Sequence, residues 1–321
     1  MVKKRYIIIV IWCILLIFIS FKIKTNKINE DISKEISIKS EDGTLYGTLE
    51  LPKEKEKYPV ILIISGSGPT DRNGNSNIIN GKNDSLKLLS EALKHKNIAT
   101  LRYDKRKIGK SKGFSKKEEE IRFDDFIKDA ILWIEKLKKD DRFTSVSVLG
   151  HSEGSTIGMI TARKAKVDSY ISLCGPGRSL DKILLEQYSK DPKNYKEVKY
   201  IINKLNEGNL VKNVSKELLM AFRPSVQPFL ISQMKYKPAK EISKLDVPVL
   251  IISGSKDLQV SVTDGKLLKK ASSLGEYKVI KNMNHVLKKV YDIETNKKSY
   301  CDPTIPLADE LVEKISEFIK K

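Results

Sequence analysis
The chain has 321 residues, of which 40% are hydrophobic, 7% aromatic and 31% charged, a balance that supports a packed core and excludes a disordered polymer. Its formal net charge is +19, yet only nine of the 60 basic residues are Arg. The lysines are spread evenly, without aromatic interleaving or a nucleic-acid motif, so the charge reads as solvated surface and no nucleic-acid partner is expected.

In chain order, the first feature is an address. Lys3, Lys4 and Arg5 precede an apolar run from Tyr6 to Phe21, closed by Lys22 and Lys24. At ~1.5 Å per residue the run reaches roughly 24 Å, a little short of a ~30 Å hydrocarbon core, and the flanking lysines can snorkel to cover the difference. No small-residue cleavage site follows, because bulky Phe18 and Phe21 stand where such a site needs small side chains. An uncleaved signal anchor over residues 1–24 is therefore expected, with secretion after cleavage as the alternative. It implies a cell-membrane location with the catalytic part outside the cytoplasm. Residues 25–35 read as a polar linker, and 36–321 as the catalytic domain.

Ile36 to Lys39 and Leu45 to Leu51 form a predicted hairpin about Glu41-Asp42-Gly43. Val60 to Ile64 is a continuous β-branched run, the pattern of a strand buried on both faces. Helices are predicted over Ser85 to Lys94, Phe123 to Lys138 and Ser155 to about Lys166. Strands are predicted over Ile98 to Tyr103, Val146 to Leu149, Tyr170 to Leu173, Val249 to Ile252 and Tyr277 to Ile280. A closing helix is predicted over Leu307 to Ile319. This alternation demands crossovers and a mostly parallel sheet flanked by helices, an α/β class. Residues 178–240 break the rhythm with helical segments punctuated by Pro192, Pro224, Pro228 and Pro238, and read as a lid insertion.

Gly150-His151-Ser152-Glu153-Gly154 sits between a predicted strand and a predicted helix. A serine on such a sharp turn is lifted clear of the sheet beside a helix N-terminus, and flanking glycines remove side chains that would clash. Serine needs a base. Of three histidines, His151 adjoins the serine and His95 ends a surface helix, which leaves His285, just after the strand ending at Ile280. Asp257 follows the strand Val249 to Ile252 and completes the chain order Ser, Asp, His. Asp246 precedes that strand and so lies at the wrong edge, while Asp264 caps or begins the next helix. Two backbone N–H groups, of Ser67 and Glu153, are the candidate oxyanion donors, Ser67 lying in the glycine-rich Ser65-Gly66-Ser67-Gly68 after the third strand.

From about residue 36 onward the chain resembles bacterial esterases of the α/β-hydrolase superfamily, in the group related to dienelactone hydrolases and serine aminopeptidases. The resemblance rests on Ser65-Gly66-Ser67-Gly68-Pro69-Thr70-Asp71-Arg72-Asn73-Gly74, Arg102-Tyr103-Asp104-Lys105-Arg106, the Ser152 pentapeptide and Gly254-Ser255-Lys256-Asp257-Leu258-Gln259-Val260. It implies an α/β-hydrolase fold and carboxylic-ester hydrolysis, with Ser152, Asp257 and His285 as the triad. The substrate implied is a small-molecule acyl ester. Lys107 departs from the pattern where glycine is common, and Ser65 where many relatives carry histidine.

Cys13, Cys174 and Cys301 have no metal-ligand spacing, and Gly109-Lys110-Ser111 lacks the upstream glycine of a phosphate loop, so no metal and no cofactor is expected. Arg178 and Arg223 read as solvated or structurally paired. A peptidase or thioesterase using the same machinery is the alternative enzyme, and a tethered binding protein without catalysis the alternative class. Oligomeric state is not legible.

Overall fold
The computed structural model describes residues 33–52 and 57–321. Strands β1 (Ser33–Ser40) and β2 (Gly43–Glu50) form the expected hairpin, with β1 starting earlier than its hydrophobic pattern suggests. β1 is an edge strand with mostly exposed or half-buried side chains, so its first residues carry little apolar signal. They take part of the segment expected as linker.

There follow β3 (Tyr58–Ile64), α1 (Ser85–Lys94), β4 (Ala99–Tyr103), α2 (Phe123–Lys138), β5 (Phe143–His151), α3 (Glu153–Ala165) and β6 (Ser169–Leu173). Five helices then interrupt the alternation: α4 (Leu180–Tyr188), α5 (Pro192–Asn206), α6 (Leu219–Phe222), α7 (Gln227–Met234) and α8 (Pro238–Ile242). The chain resumes with β7 (Val249–Gly254), α9 (Val262–Ala271), β8 (Gly275–Ile280), α10 (Ile293–Lys298) and α11 (Leu311–Ile319).

The eight strands form one sheet in the order β1-β2-β4-β3-β5-β6-β7-β8. β1–β2 and β2–β4 are antiparallel, and every pairing from β4–β3 to β7–β8 is parallel. Period-two alternation along β3 shows why the run is apolar throughout. Val60, Leu62 and Ile64 enter the core beneath α2 and α3, around the fully buried Trp133. Ile61 and Ile63 enter the opposite core with Leu86, Leu89 and Leu93 of α1 and Leu311 and Ile315 of α11. A strand with helices on both faces has no polar side.

One boundary moved for an identifiable reason. α11 starts at Leu311 and not at Leu307, because Leu307 bridges to Lys288 and the Ala308 N–H donates to Leu287 O at 2.8 Å. Those residues brace the segment after β8. The insertion packs on itself, burying Val198, Ile201, Ile202, Leu205, Leu218 and Phe222, so its helices hold one another as well as the sheet.

The fold class expected from sequence included an N-terminal membrane-anchor helix over residues 1–24. Those residues lie outside the described ones, and among the described residues no helix is long and apolar enough to cross a membrane. The expectation is corrected accordingly. Among the described residues the fold is an α/β-hydrolase sheet with flanking helices and a helical insertion. The membrane partner, the single-pass membrane location and the extracytoplasmic placement all rested on that helix, and none is carried further.

Candidate active site
Ser152 sits at the turn between β5 and α3 with φ 55 and ψ −122, a backbone that a non-glycine residue adopts only when its surroundings force it. The forcing contacts are close. A Cβ on Gly150 would lie 2.1 Å from Gly154 O, and a Cβ on Gly154 would lie 2.3 Å from Ile64 O. The Ser152 N–H donates to Leu173 O at 3.0 Å, which ties the turn to the end of β6. Glu153 supplies the first amide of α3, one with no intrahelical acceptor. The loop holding Ser67 runs beside it, since a Cβ on Gly66 would come within 3.2 Å of Ser152 Cβ.

His285 follows β8 and projects between two groups. Its Nε2 is 3.1 Å from Ser152 Oγ and its Nδ1 is 2.8 Å from Asp257 Oδ2. The other Asp257 oxygen accepts from the Gln259 and Val260 amides at 2.8 and 2.9 Å. Burial alone would raise the Asp257 pKa, but the charge and hydrogen bond of His285 and those two amides prevail and hold it below the usual carboxylate value. The segment carrying His285 is fixed from behind. Asn284 Nδ2 donates to Asn296 Oδ1 and Ser299 Oγ, and the fully buried Lys288 donates its Nζ to Ile305 O at 2.7 Å.

His151 is not idle beside the serine. Its ring lies 5.0 Å from that of His285, and its Nε2 is 2.8 Å from His285 O. A carbonyl oxygen only accepts, so Nε2 carries the proton. Burial, with the nearby His285 charge, pushes the His151 pKa down to about 4.

Cys174 also joins the site. It follows β6 directly with φ 51, and its sulfur lies with ligand atoms of Asp257 and His285, all within 4.8 Å of one another. Among the described residues this is the one group of such side chains close enough to share a metal ion. Burial, then the Asp257 charge, push its thiol well above the ordinary value. Sequence pattern set Cys174 aside as a strand end. The available signal was its place at the tip of β6, the neighbour of β7, whose own tip leads to Asp257.

Ser152 opens onto a cavity of about 810 Å³ between the sheet and the insertion, which also takes in Ser67 and Glu153. Its walls are mainly apolar, with Ile121, Phe126, Leu184, Phe229 and Leu230 among them. The charged groups on it are already engaged. Arg178 binds Asp264 through Nε at 3.0 Å and Nη2 at 2.7 Å, and Arg223 grips Glu118. Glu153 meets Lys105 at 3.4 Å. Asp264 lies in the first turn of α9, and Asp246 falls before β7 at the far edge. Lys107 has φ 67, a left-handed backbone at the place where glycine was the expected residue.

The family model described as serine aminopeptidase, S33, matches residues 79–289. Esterase EstD of Thermotoga maritima is 26% identical over 277 residues, covering 81% of this chain; the chain spans 63% of that relative's length. Among solved structures, Est1E from Butyrivibrio proteoclasticus with ferulic acid bound superposes with a TM-score of 0.59 at 19% identity, over 89% of this chain and 96% of that one. The Pyrococcus furiosus esterase PF2001 gives 0.56 at 16% identity, over 90% of each chain. At such identities these likenesses speak for the fold alone.

The expectation of a serine carboxylesterase is corrected at this point. Asp257 and His285 form a cluster with the Cys174 thiol, which brings a second nucleophile type to the site. The matching family model is, moreover, one of aminopeptidases.

Proposed function
Because the chain belongs to the serine aminopeptidase (S33) family of the α/β-hydrolase superfamily, we propose that it is an acyl-transfer hydrolase of the thioesterase type. Its substrates are small-molecule thioesters of apolar acyl groups. The observation that carries this reading is the cavity beside Ser152. An aminopeptidase must hold the α-ammonium of its substrate, and a free carboxylate is the usual means. Among the described residues only two carboxylates line the cavity, Glu118 and Glu153, and each is paired with a cation, Arg223 and Lys105 respectively. Apolar walls around the remainder suit an acyl chain.

In this reading His285 takes the Ser152 proton, and Asp257 orients the imidazole and stabilises its charged form. Ser152 Oγ attacks the thioester carbonyl, and the developing oxyanion is received by the Ser67 and Glu153 N–H groups. Collapse breaks the C–S bond, and the thiolate takes the proton held by His285. Water, deprotonated by His285, then releases the acid from Ser152.

The Cys174 cluster favours a second reading in which sulfur is the nucleophile. Against it, a thiol held well above its ordinary pKa supplies little thiolate. Cys174 is also 1% exposed, and the cavity is lined by Ser152 and not by Cys174. Ser152→Ala and Cys174→Ala separate the two readings. Hydrolysis of medium-chain acyl thioesters is followed by thiol release alongside aminoacyl anilide hydrolysis. The expected result is thioester turnover abolished in Ser152→Ala and kept in Cys174→Ala. The reverse pattern assigns the nucleophile to Cys174, and anilide turnover above thioester turnover overturns the substrate class.

A further inference from the structure
We propose that Lys105 is a positioning residue for acyl transfer, a buried ammonium that clamps together the two segments offering the oxyanion N–H donors. The inference rests on the reading of Ser152 as nucleophile with Ser67 and Glu153 as donors.

Lys105 lies just past the end of β4 and is 2% exposed, an unusual burial for lysine. Its Nζ makes two polar contacts. One is to the carbonyl oxygen of Gly66, and the other is to Glu153 Oε1 at 3.4 Å. The ammonium also lies 5.5 Å from the centre of the Phe126 ring. Burial lowers the Lys105 pKa and the Glu153 charge raises it in part, so the pair is held in place by mutual need.

The two partners are not arbitrary. Gly66 C=O belongs to the same peptide plane as the Ser67 N–H, and in a trans peptide these point in opposite directions. A cation on that oxygen therefore fixes the plane and aims the Ser67 N–H away from Lys105. It also polarises the amide, which strengthens the N–H as a donor. Glu153, the other partner, carries the second donor on its own backbone. One ammonium thus links the loop after β3 to the first residue of α3, and sets the separation of the two N–H groups. A mere space-filler would need neither contact.

The test compares the full-length wild type with Lys105→Met, Glu153→Gln and Lys105→Met/Glu153→Gln. The glutamine background removes the unpaired carboxylate that Lys105→Met alone would leave buried. The readout is the second-order rate of fluorophosphonate labelling, with the labelled residue identified by peptide mass. Labelling builds a tetrahedral phosphonyl adduct whose oxygen sits in the oxyanion site, and it requires no knowledge of the natural substrate. Lys105→Met is expected to label about tenfold or more slowly than wild type, and the double variant about tenfold or more slowly than Glu153→Gln. Thioester turnover should fall in kcat with KM changed by less than about threefold. If Lys105→Met fails to fold cooperatively, the comparison in the glutamine background decides. Labelling within about twofold in that comparison overturns the positioning role while leaving Ser152 as nucleophile. A wild type labelled elsewhere than Ser152 overturns the nucleophile reading, and the clamp with it.

Discussion
His151 makes the protein sensitive to acid, by an amount that can be worked out. Its imidazole titrates at about 4 in the folded state, against an ordinary 6.5, because burial and the neighbouring His285 charge disfavour the cation. The unfolded chain therefore binds a proton in a window where the folded chain refuses it. The depressed pKa means that stability rises with pH between about 4 and 6.5 and is lost as the solution is acidified through that range. Between pH 7 and 4.5 the single group contributes a loss of about 2.5 kcal/mol, a large fraction of a domain's total stability. His151→Gln removes the titration and retains an amide N–H to reach His285 O. Urea unfolding of both proteins at pH 7 and 4.5 isolates the effect, since titrating groups that do not interact with His151 cancel in the difference. The wild type is expected to lose about 2.5 kcal/mol more than the variant. Equal losses would refute the claim that His151 is buried neutral against His285.

Two further predictions concern the frame of the site. Gly154→Ala places a methyl 2.3 Å from Ile64 O and 2.6 Å from Ser65 O, both backbone atoms that cannot rotate aside; a loss of about 3 kcal/mol in urea and slower phosphonate labelling of Ser152 are expected. Asp264 is fully buried and accepts from the Gly177 and Arg178 amides and from the Arg178 guanidinium. Asp264→Ala should therefore cost about 3 kcal/mol and loosen the entry to the insertion, read as faster amide exchange over α4.

Much of the frame was legible because it is written in short-range chemistry. β3 announces itself as an unbroken β-branched run, and the helix Phe123–Lys138 has the same limits in structure as in pattern. Ser152 stood out because the glycines flanking it are forced by contacts under 3 Å. His285 emerged by elimination, which worked only because the chain has three histidines. The missed residues share a different property, namely that their roles are made by the fold. Lys105 is one of 51 lysines (60 basic residues less nine Arg), and although it stands in the Arg102-Tyr103-Asp104-Lys105-Arg106 motif, nothing local shows that its ammonium is buried. Cys174 meets Asp257 only because β6 and β7 are neighbours in the sheet. His151 meets His285 across 134 positions of sequence.

The same distinction explains how a hydrolase of this build chooses among substrates. Asp257 and His285 are set at strand tips, where a rigid sheet fixes them, and Asp257 is held charged by two amides and by His285. A thiol stands beside that pair, but high pKa and burial keep it a neutral neighbour, whereas the serine faces the cavity. In the proposed thioesterase reading, selection of substrate falls instead to the insertion. Its contribution to the wall is mainly apolar, with Gln187, Gln233 and Tyr236 as neutral polar groups and with Arg178 and Arg223 neutralised, the first by Asp264 and Glu186 and the second by Glu118. A cavity that pairs off each of its carboxylates offers a charged amine no free carboxylate, and rewards an acyl chain in proportion to the apolar surface it buries, about 0.8 kcal/mol per methylene. Thioester turnover, measured as kcat/KM, should on that account rise by roughly fourfold for each methylene added, until the chain fills the cavity. A profile flat from the shortest acyl group onward would show that these walls do not select the substrate.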